Sequence, residues 1–220
     1  MDINEHKTPV TRTGVYYTAG DRAQSIRQWL CCHGYGQRAD FMIRKFNKRV
    51  KHQEYALAVE GPNRFYWEGV TGEIVATWMT SRFRLDEIRD NNAFLSRVYD
   101  TEIDKSKQRI LFGFSQGGTT LWRWIHDKKP DFDVFINYAG WIPEDIDLST
   151  LQDHMQGKKL IYAFGDQDQY LTDDRLKKAK SIIADSKLDI NIHPFQGEHK
   201  IYRQVIDDII ANLDLSLIHI

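Results

Sequence analysis

Cysteine is nearly absent: the chain has two, Cys31 and Cys32, side by side. Neighbours in a strand point to opposite faces, so the pair reads as two buried thiols rather than a disulfide, and it offers no metal-site spacing. A surplus of charge is lacking too. Lys and Arg number 30 against 31 Asp and Glu, a formal net charge of −1, which makes no electrostatic case for nucleic acid or an anionic membrane. The basic run Arg44, Lys45, Lys48, Arg49 and Lys51 alternates with apolar positions and reads as one solvated helix face. No apolar stretch approaches a membrane span. Met1 to Arg12 is polar, without the apolar core of a signal peptide, and a soluble, cytoplasmic protein is expected. Repeats, low-complexity tracts and linkers are missing as well, so the 220 residues are expected to form one domain, 1–220, large enough for a sizeable core and a cleft.

What is present is a regular alternation. Strand-like runs are expected at Thr13–Ala19, Ile26–Cys32, Tyr55–Val59, Arg109–Gly113, Val134–Ala139, Leu160–Phe164 and Ile190–Phe195. Several are near-continuous apolar runs, as central strands covered on both faces require. Between them the 3.6-residue period predicts helices over Ala39–Val50, Leu85–Ile103, Gln116–Asp127, Thr172–Ser186 and Ile201–Leu213. Such alternation implies an α/β fold: a mostly parallel sheet of about seven strands with helices on both faces. Ligands of such sheets sit beyond the carboxyl ends of the strands, and each chemically suggestive cluster of this chain follows a strand.

The most informative cluster is Gly113-Phe114-Ser115-Gln116-Gly117-Gly118, between the run Ile110–Phe112 and a helical segment. Strand, sharp turn and helix give Gly-x-Ser-x-Gly its meaning: the turn lifts the serine clear of the sheet, and a Cβ two residues to either side would collide with its surroundings. A glycine-rich turn with an incidental serine has the same composition, so the order of the other clusters carries the argument. A serine hydrolase needs an oxyanion loop, the nucleophile, an acid after a later strand and a histidine after the last strand, in that order. His33-Gly34-Tyr35-Gly36-Gln37 fills the first place, with the backbone amides of Tyr35 and Gln116 as donors to the developing oxyanion. For the acid, Asp168 is favoured over Asp166, which directly follows the turn glycine and reads as a loop cap; Asp173 and Asp174 read as helix-start acids. Glu144, Asp145 and Asp147 lie in an earlier, less suitable loop. His199 in Gly197-Glu198-His199 takes the last place. His193 lies within a strand, His126 near a helix end, and His6 and His219 near the termini.

These residues resemble the α/β-hydrolase superfamily, and within it the phospholipase/carboxylesterase family that includes the acyl-protein thioesterases. Gly-Phe-Ser-Gln-Gly-Gly at 113–118 is similar to that family's nucleophile motif, Asp168 lies in a Gly-x-x-Asp pattern from Gly165, and His199 in a Gly-x-His pattern. The resemblance implies Ser115 as nucleophile, Asp168 as acid, His199 as base, and Tyr35 and Gln116 as oxyanion donors. It departs at Gln37, where the family usually has Asp, and at Gly140-Trp141-Ile142-Pro143; the segment 62–84 is only loosely similar. These departures leave the triad untouched and fall on the acyl pocket.

The expected activity is cleavage of small to medium carboxylic esters or thioesters through an acyl-enzyme, with no metal or organic cofactor. A peptidase or amidase with the same triad, and a catalytically silent hydrolase-fold binding protein, are the rival readings. The long connection 62–84, rich in aromatics, is expected to be a lid or substrate loop. With Trp67, Trp78, Trp141 and Tyr170 as candidate substrate contacts, the pocket would be apolar but crowded by rings, favouring shorter acyl groups; equally, these rings could only pin the loop to the surface.

Overall fold

The computed structural model describes residues 1–218, and side chains through Asp214; His219 lies outside the described residues. Among the described residues nine strands form: β1 (Tyr16–Ala19), β2 (Arg27–Cys32), β3 (Glu54–Val59), β4 (Asn63–Tyr66), β5 (Ile74–Thr77), β6 (Gln108–Phe114), β7 (Val134–Tyr138), β8 (Lys159–Gly165) and β9 (Ile190–Phe195). Seven of them build one sheet in the order β1-β3-β2-β6-β7-β8-β9, parallel except for β1, which runs antiparallel to β3. The seven expected strand-like runs are these seven strands. The first starts at Tyr16 rather than Thr13 because its partner β3 ends at Val59, directly opposite Tyr16.

The helices are α1 (Ala39–Ile43), α2 (Asn47–Val50), α3 (Arg84–Glu102), α4 (Gln116–Lys128), α5 (Gln152–Met155), α6 (Asp173–Ser186) and α7 (Arg203–Ile218). The single helix expected over 39–50 is instead broken by a 3-10 turn at Arg44–Phe46, which seats Phe46 against Trp29 and Phe112, with ring centroids 5.1 and 5.3 Å away. The basic run there is not uniformly solvated either: Arg49 is mostly buried and pairs with Glu54 and Asp207.

Strand pleating divides the core in two. Leu30, Leu57, Leu111, Phe135 and Tyr162 face α3, α4 and α6, while Trp29, Ala56, Phe112, Ile136 and Ala163 face α1 and α7. Cys31 and Cys32 are both free thiols, buried on opposite sides of the sheet. No helix among the described residues is long and apolar enough to cross a membrane.

The chain leaves β2 for β3 on one side and returns to place β6 on the other, so the strand order reverses at the β2–β6 pair. At such a reversal the loops leave in opposite directions and open a crevice. Cys32 is paired with Gly113 there, which puts the His33 loop and the Ser115 turn next to each other.

The segment 62–84 is not one irregular loop. β4 and β5 make a hairpin, and its inner strand is bonded to the His33 loop, Gly36 N–H donating to Ala76 O (3.0 Å) and Ala76 N–H to Gln37 O (2.9 Å). These two bonds hold the hairpin against the crevice as a wall.

Candidate active site

Ser115 sits where β6 passes into α4, with φ 52° and ψ −120°. A non-glycine residue with that backbone is strained. The strain persists because both flanks are closed: a Cβ on Gly113 would collide with the backbone of Gly117 and Gly118, and one on Gly117 with the Cys32 carbonyl. Ser115 N–H donates to Tyr138 O (2.9 Å), tying the turn to β7.

Asp168 and His199 arrive on two loops that are zipped together. Asp166 N–H donates to Phe195 O and Gln167 N–H to Gly197 O, both at 2.9 Å, and the Asp166 carboxylate accepts from Gly197 N–H at 2.9 Å. Tyr202 secures the other side, its hydroxyl accepting from Glu198 N–H (3.1 Å). The result is one hydrogen-bonded line: Asp168 Oδ2 lies 2.6 Å from His199 Nδ1, and His199 Nε2 lies 2.9 Å from Ser115 Oγ. The carboxylate of Asp168 is buried, and its second oxygen accepts from Tyr170 N–H (2.9 Å). The imidazole is wedged between the rings of Phe114 and Tyr170, 4.9 and 4.8 Å away. His193 stays on the edge strand β9, and His126 near the end of α4.

In the loop after β2, Gly34 N–H is taken by the side chain of Gln37 (3.0 Å) and Gly36 N–H by Ala76 O, leaving the Tyr35 amide between them without a partner among the described residues. The Gln116 amide opens α4 and has no carbonyl one turn back to bond. The Gln116 amide stands at a helix N-terminus, which already favours negative charge. His33 is buried beneath this loop: its Nε2 accepts from Gly61 N–H (2.9 Å), so the proton sits on Nδ1, 2.8 Å from Gly34 O. Burial pushes the His33 imidazole below its usual pKa and keeps it neutral.

The four aromatic candidates separate. Tyr170 abuts His199, Trp141 stands half-exposed beyond β7, and Trp67 packs on Tyr35 and Phe65 over the His33 loop. Trp78 turns into the core. It is 0% exposed, packs on His33 and donates its indole N–H to His33 O (2.9 Å); a Trp at this register turns inward because its neighbour Thr77 ends the hairpin strand at the core. The side chain of Gln116 completes the clamp, accepting from Trp78 N–H (3.0 Å) and donating to Met79 O (2.8 Å). That second role of Gln116, and the part Gln37 plays in the loop, are not visible as motifs, since a glutamine side chain reports its partners only once the chain is folded.

The serine hydrolase (FSH1) family model matches residues 23–204. The chain belongs to this family. A search of curated protein sequences finds no significant match. Among solved structures, esterase PE8 superposes with a TM-score of 0.68 at 18% identity, covering 93% of this chain and 99% of that one. Acyl-protein thioesterase 2 of Zea mays gives 0.69 at 14% identity over 93% and 100% of the two chains. SOBER1 of Arabidopsis thaliana gives 0.61 at 14% identity over 83% and 95%. At these identities the superpositions establish the α/β-hydrolase fold, as expected from the nucleophile turn; the family makes the protein a serine hydrolase.

Two clefts flank the serine hydrolase's Ser115–His199 pair. The larger, about 710 Å³, runs from Gln116 and Thr119 on α4 to Trp141, Leu171 and Arg175. The smaller, about 360 Å³, is lined by His199, Phe114, Gly36 and Gln37 and extends to α1. Among the described residues no cluster of His, Cys, Asp and Glu could hold a metal ion.

Proposed function

We propose that the protein hydrolyses carboxylic esters or thioesters through an acyl-enzyme on Ser115. The observation that carries this is the continuous Asp168–His199–Ser115 line ending on a strained serine at the β6–α4 turn. His199 Nε2 takes the Ser115 proton as Oγ attacks the acyl carbon. Asp168 holds the Nδ1–H tautomer and offsets the imidazolium charge. The carbonyl oxygen, now an anion, accepts from the Tyr35 and Gln116 amides, a fixed pair of donors that need no reorganisation at the moment of reaction. The tetrahedral adduct collapses, the bond to the leaving group breaks, and His199 returns its proton to the departing alcohol or thiol. Water, deprotonated by the same imidazole, then attacks the acyl-serine and frees the acid.

A general acid must lie within hydrogen-bond reach of the atom it protonates, and His199 lines the smaller cleft but not the larger. The leaving group is therefore assigned to the smaller cleft, whose Gly36 lies against the Trp67 ring, and the acyl chain to the larger, beside Trp141. The hairpin 63–77 serves as the fixed outer wall of the substrate site.

The test is a fluorophosphonate probe together with a panel of 4-nitrophenyl esters and acyl thioesters. Wild-type protein should be labelled and active, and folded Ser115→Ala should be unlabelled, with turnover lower by roughly three or more orders of magnitude. An alanine variant that keeps most of its activity removes Ser115 as nucleophile. A folded wild type that is neither labelled nor active supports the silent binding protein instead.

A further inference from the structure

The acyl cleft is unexpectedly cationic for a pocket that takes hydrocarbon. Arg84, Arg123, Arg175 and Lys178 face only two carboxylates, Glu144 and Asp145. Arg123 is 6% exposed and projects from the same face of α4 as Gln116 and Thr119, at spacings of seven and four residues. Its Nε and one terminal nitrogen hold Asp145 at 3.2 and 2.8 Å, but the other terminal nitrogen has only the Met79 sulfur, at 3.0 Å. Thioether sulfur is a weak acceptor, so a buried cationic donor is left poorly satisfied. Asp145 is also shared with Arg84 (2.9 Å). Arg175 has no carboxylate partner among the described residues: it donates to Tyr170 O and lies 4.0 Å over the Trp141 ring.

A second, independent observation points the same way. Tyr162 comes from β8, lines this cleft and is 1% exposed, and its hydroxyl has no hydrogen-bond partner among the described residues. Burial raises the phenol's pKa and keeps it a neutral donor. An unpaired buried hydroxyl costs free energy, and a ligand oxygen would relieve it. Leu171, Ala179 and Ile182 supply apolar wall in the same cleft, suited to methylene groups.

Building on the hydrolytic reading above, we infer that the preferred acyl group bears a carboxylate at its far end, as in the half-esters or half-thioesters of dicarboxylic acids. The methylenes lie on the apolar wall, and the distal carboxylate accepts from Tyr162, the free N–H of Arg123 and Arg175. Hydrolysis then releases a dicarboxylate and an alcohol or thiol, with no further reactant than water.

The experiment compares mono-4-nitrophenyl adipate with its neutral methyl ester, which has the same chain length and leaving group. Wild type should favour the anionic ester in kcat/KM by about tenfold or more, mostly through KM, as one charge-assisted hydrogen bond supplies. Tyr162→Phe and Arg175→Met should each cut that ratio severalfold, and Tyr162→Phe should fold at least as stably as wild type because it deletes an unpaired group. Equal or reversed preference in an active wild type overturns the inference and leaves the hydrolase reading standing. Cleavage of neither ester, with no fluorophosphonate labelling, overturns the hydrolase reading instead. Calorimetry on Ser115→Ala decides the cleft's chemistry without turnover: adipate must bind more tightly than hexanoate, with the difference reduced by adding Tyr162→Phe. Indistinguishable binding of the two acids overturns the inference whatever the enzyme's activity.

Discussion

Asp166 and Asp168, two residues apart on one loop, point to different partners: Asp168 reaches His199 Nδ1 at 2.6 Å, whereas Asp166 accepts Gly197 N–H at 2.9 Å and stitches the loops after β8 and β9 together. Asp168→Asn should lower turnover by roughly three to four orders of magnitude, since an amide can present the wrong group to Nδ1 and hold the wrong tautomer. Asp166→Asn keeps a carbonyl oxygen for Gly197 and should change turnover less than about threefold, since a neutral acceptor preserves most of the bond. Steady-state kinetics on both variants check this; the opposite ranking would exchange their roles.

Gln116 should matter through its side chain as well as its amide. Gln116→Leu strands Trp78 N–H and leaves the Met79 carbonyl with the Thr77 hydroxyl alone, at 3.2 Å. The loss is expected to be about 2 kcal/mol, because buried groups left unpaired carry the full desolvation cost. For a chain of this size that is roughly 4–8 °C in melting temperature. A melting curve within one degree of wild type would show that the clamp contributes nothing.

The tryptophans should divide by burial. Trp78→Ala should cost about 3–5 kcal/mol as a core truncation, while Trp67→Ala and Trp141→Ala, each about half-exposed, should leave stability nearly intact. Trp141→Ala should shift acyl preference towards bulkier chains, and Trp67→Ala should alter preference among leaving groups. Chain-length and leaving-group profiles that do not move in either variant would take both rings out of the substrate site.

His33 should make stability sensitive to acid. Its imidazole is held neutral, with the folded pKa below the ordinary 6.5, so below about that pH the unfolded chain binds a proton the folded one refuses. Stability should be full above pH 6.5 and fall as pH drops through the folded pKa. His33→Gln removes this proton uptake but not that of His154, whose pKa is also lowered by burial. Denaturant unfolding of the variant between pH 6.5 and 5 should therefore show a shallower loss than wild type, by up to about 1.4 kcal/mol per pH unit. Parallel curves would mean that His33 is not the group responsible.

The central strands, and the order in which their loops bear chemistry, were legible in the residues alone, because period-2 and unbroken apolar runs are imposed locally by pleating and burial. The same holds for Gly113, Ser115 and Gly117, whose sizes follow from a turn that tolerates no Cβ on either flank, and for the likeness of 113–118 to known hydrolases, which the family match extends over residues 23–204. What only folding decided are relations between distant side chains. Trp78 looked like a substrate contact because aromatics in a long connection are equally suited to a pocket or a core, and the hairpin's bonds to Gly36 and Gln37 turn it inward. Arg123 and Tyr162 lie on different elements, 39 residues apart in sequence, and neither belongs to a motif; the parallel packing of β8 beside β7 and of α4 across the sheet brings both to one cleft. Local sequence sets which way a backbone turns, while the charge and hydrogen-bonding character of a pocket depends on which faces close around it.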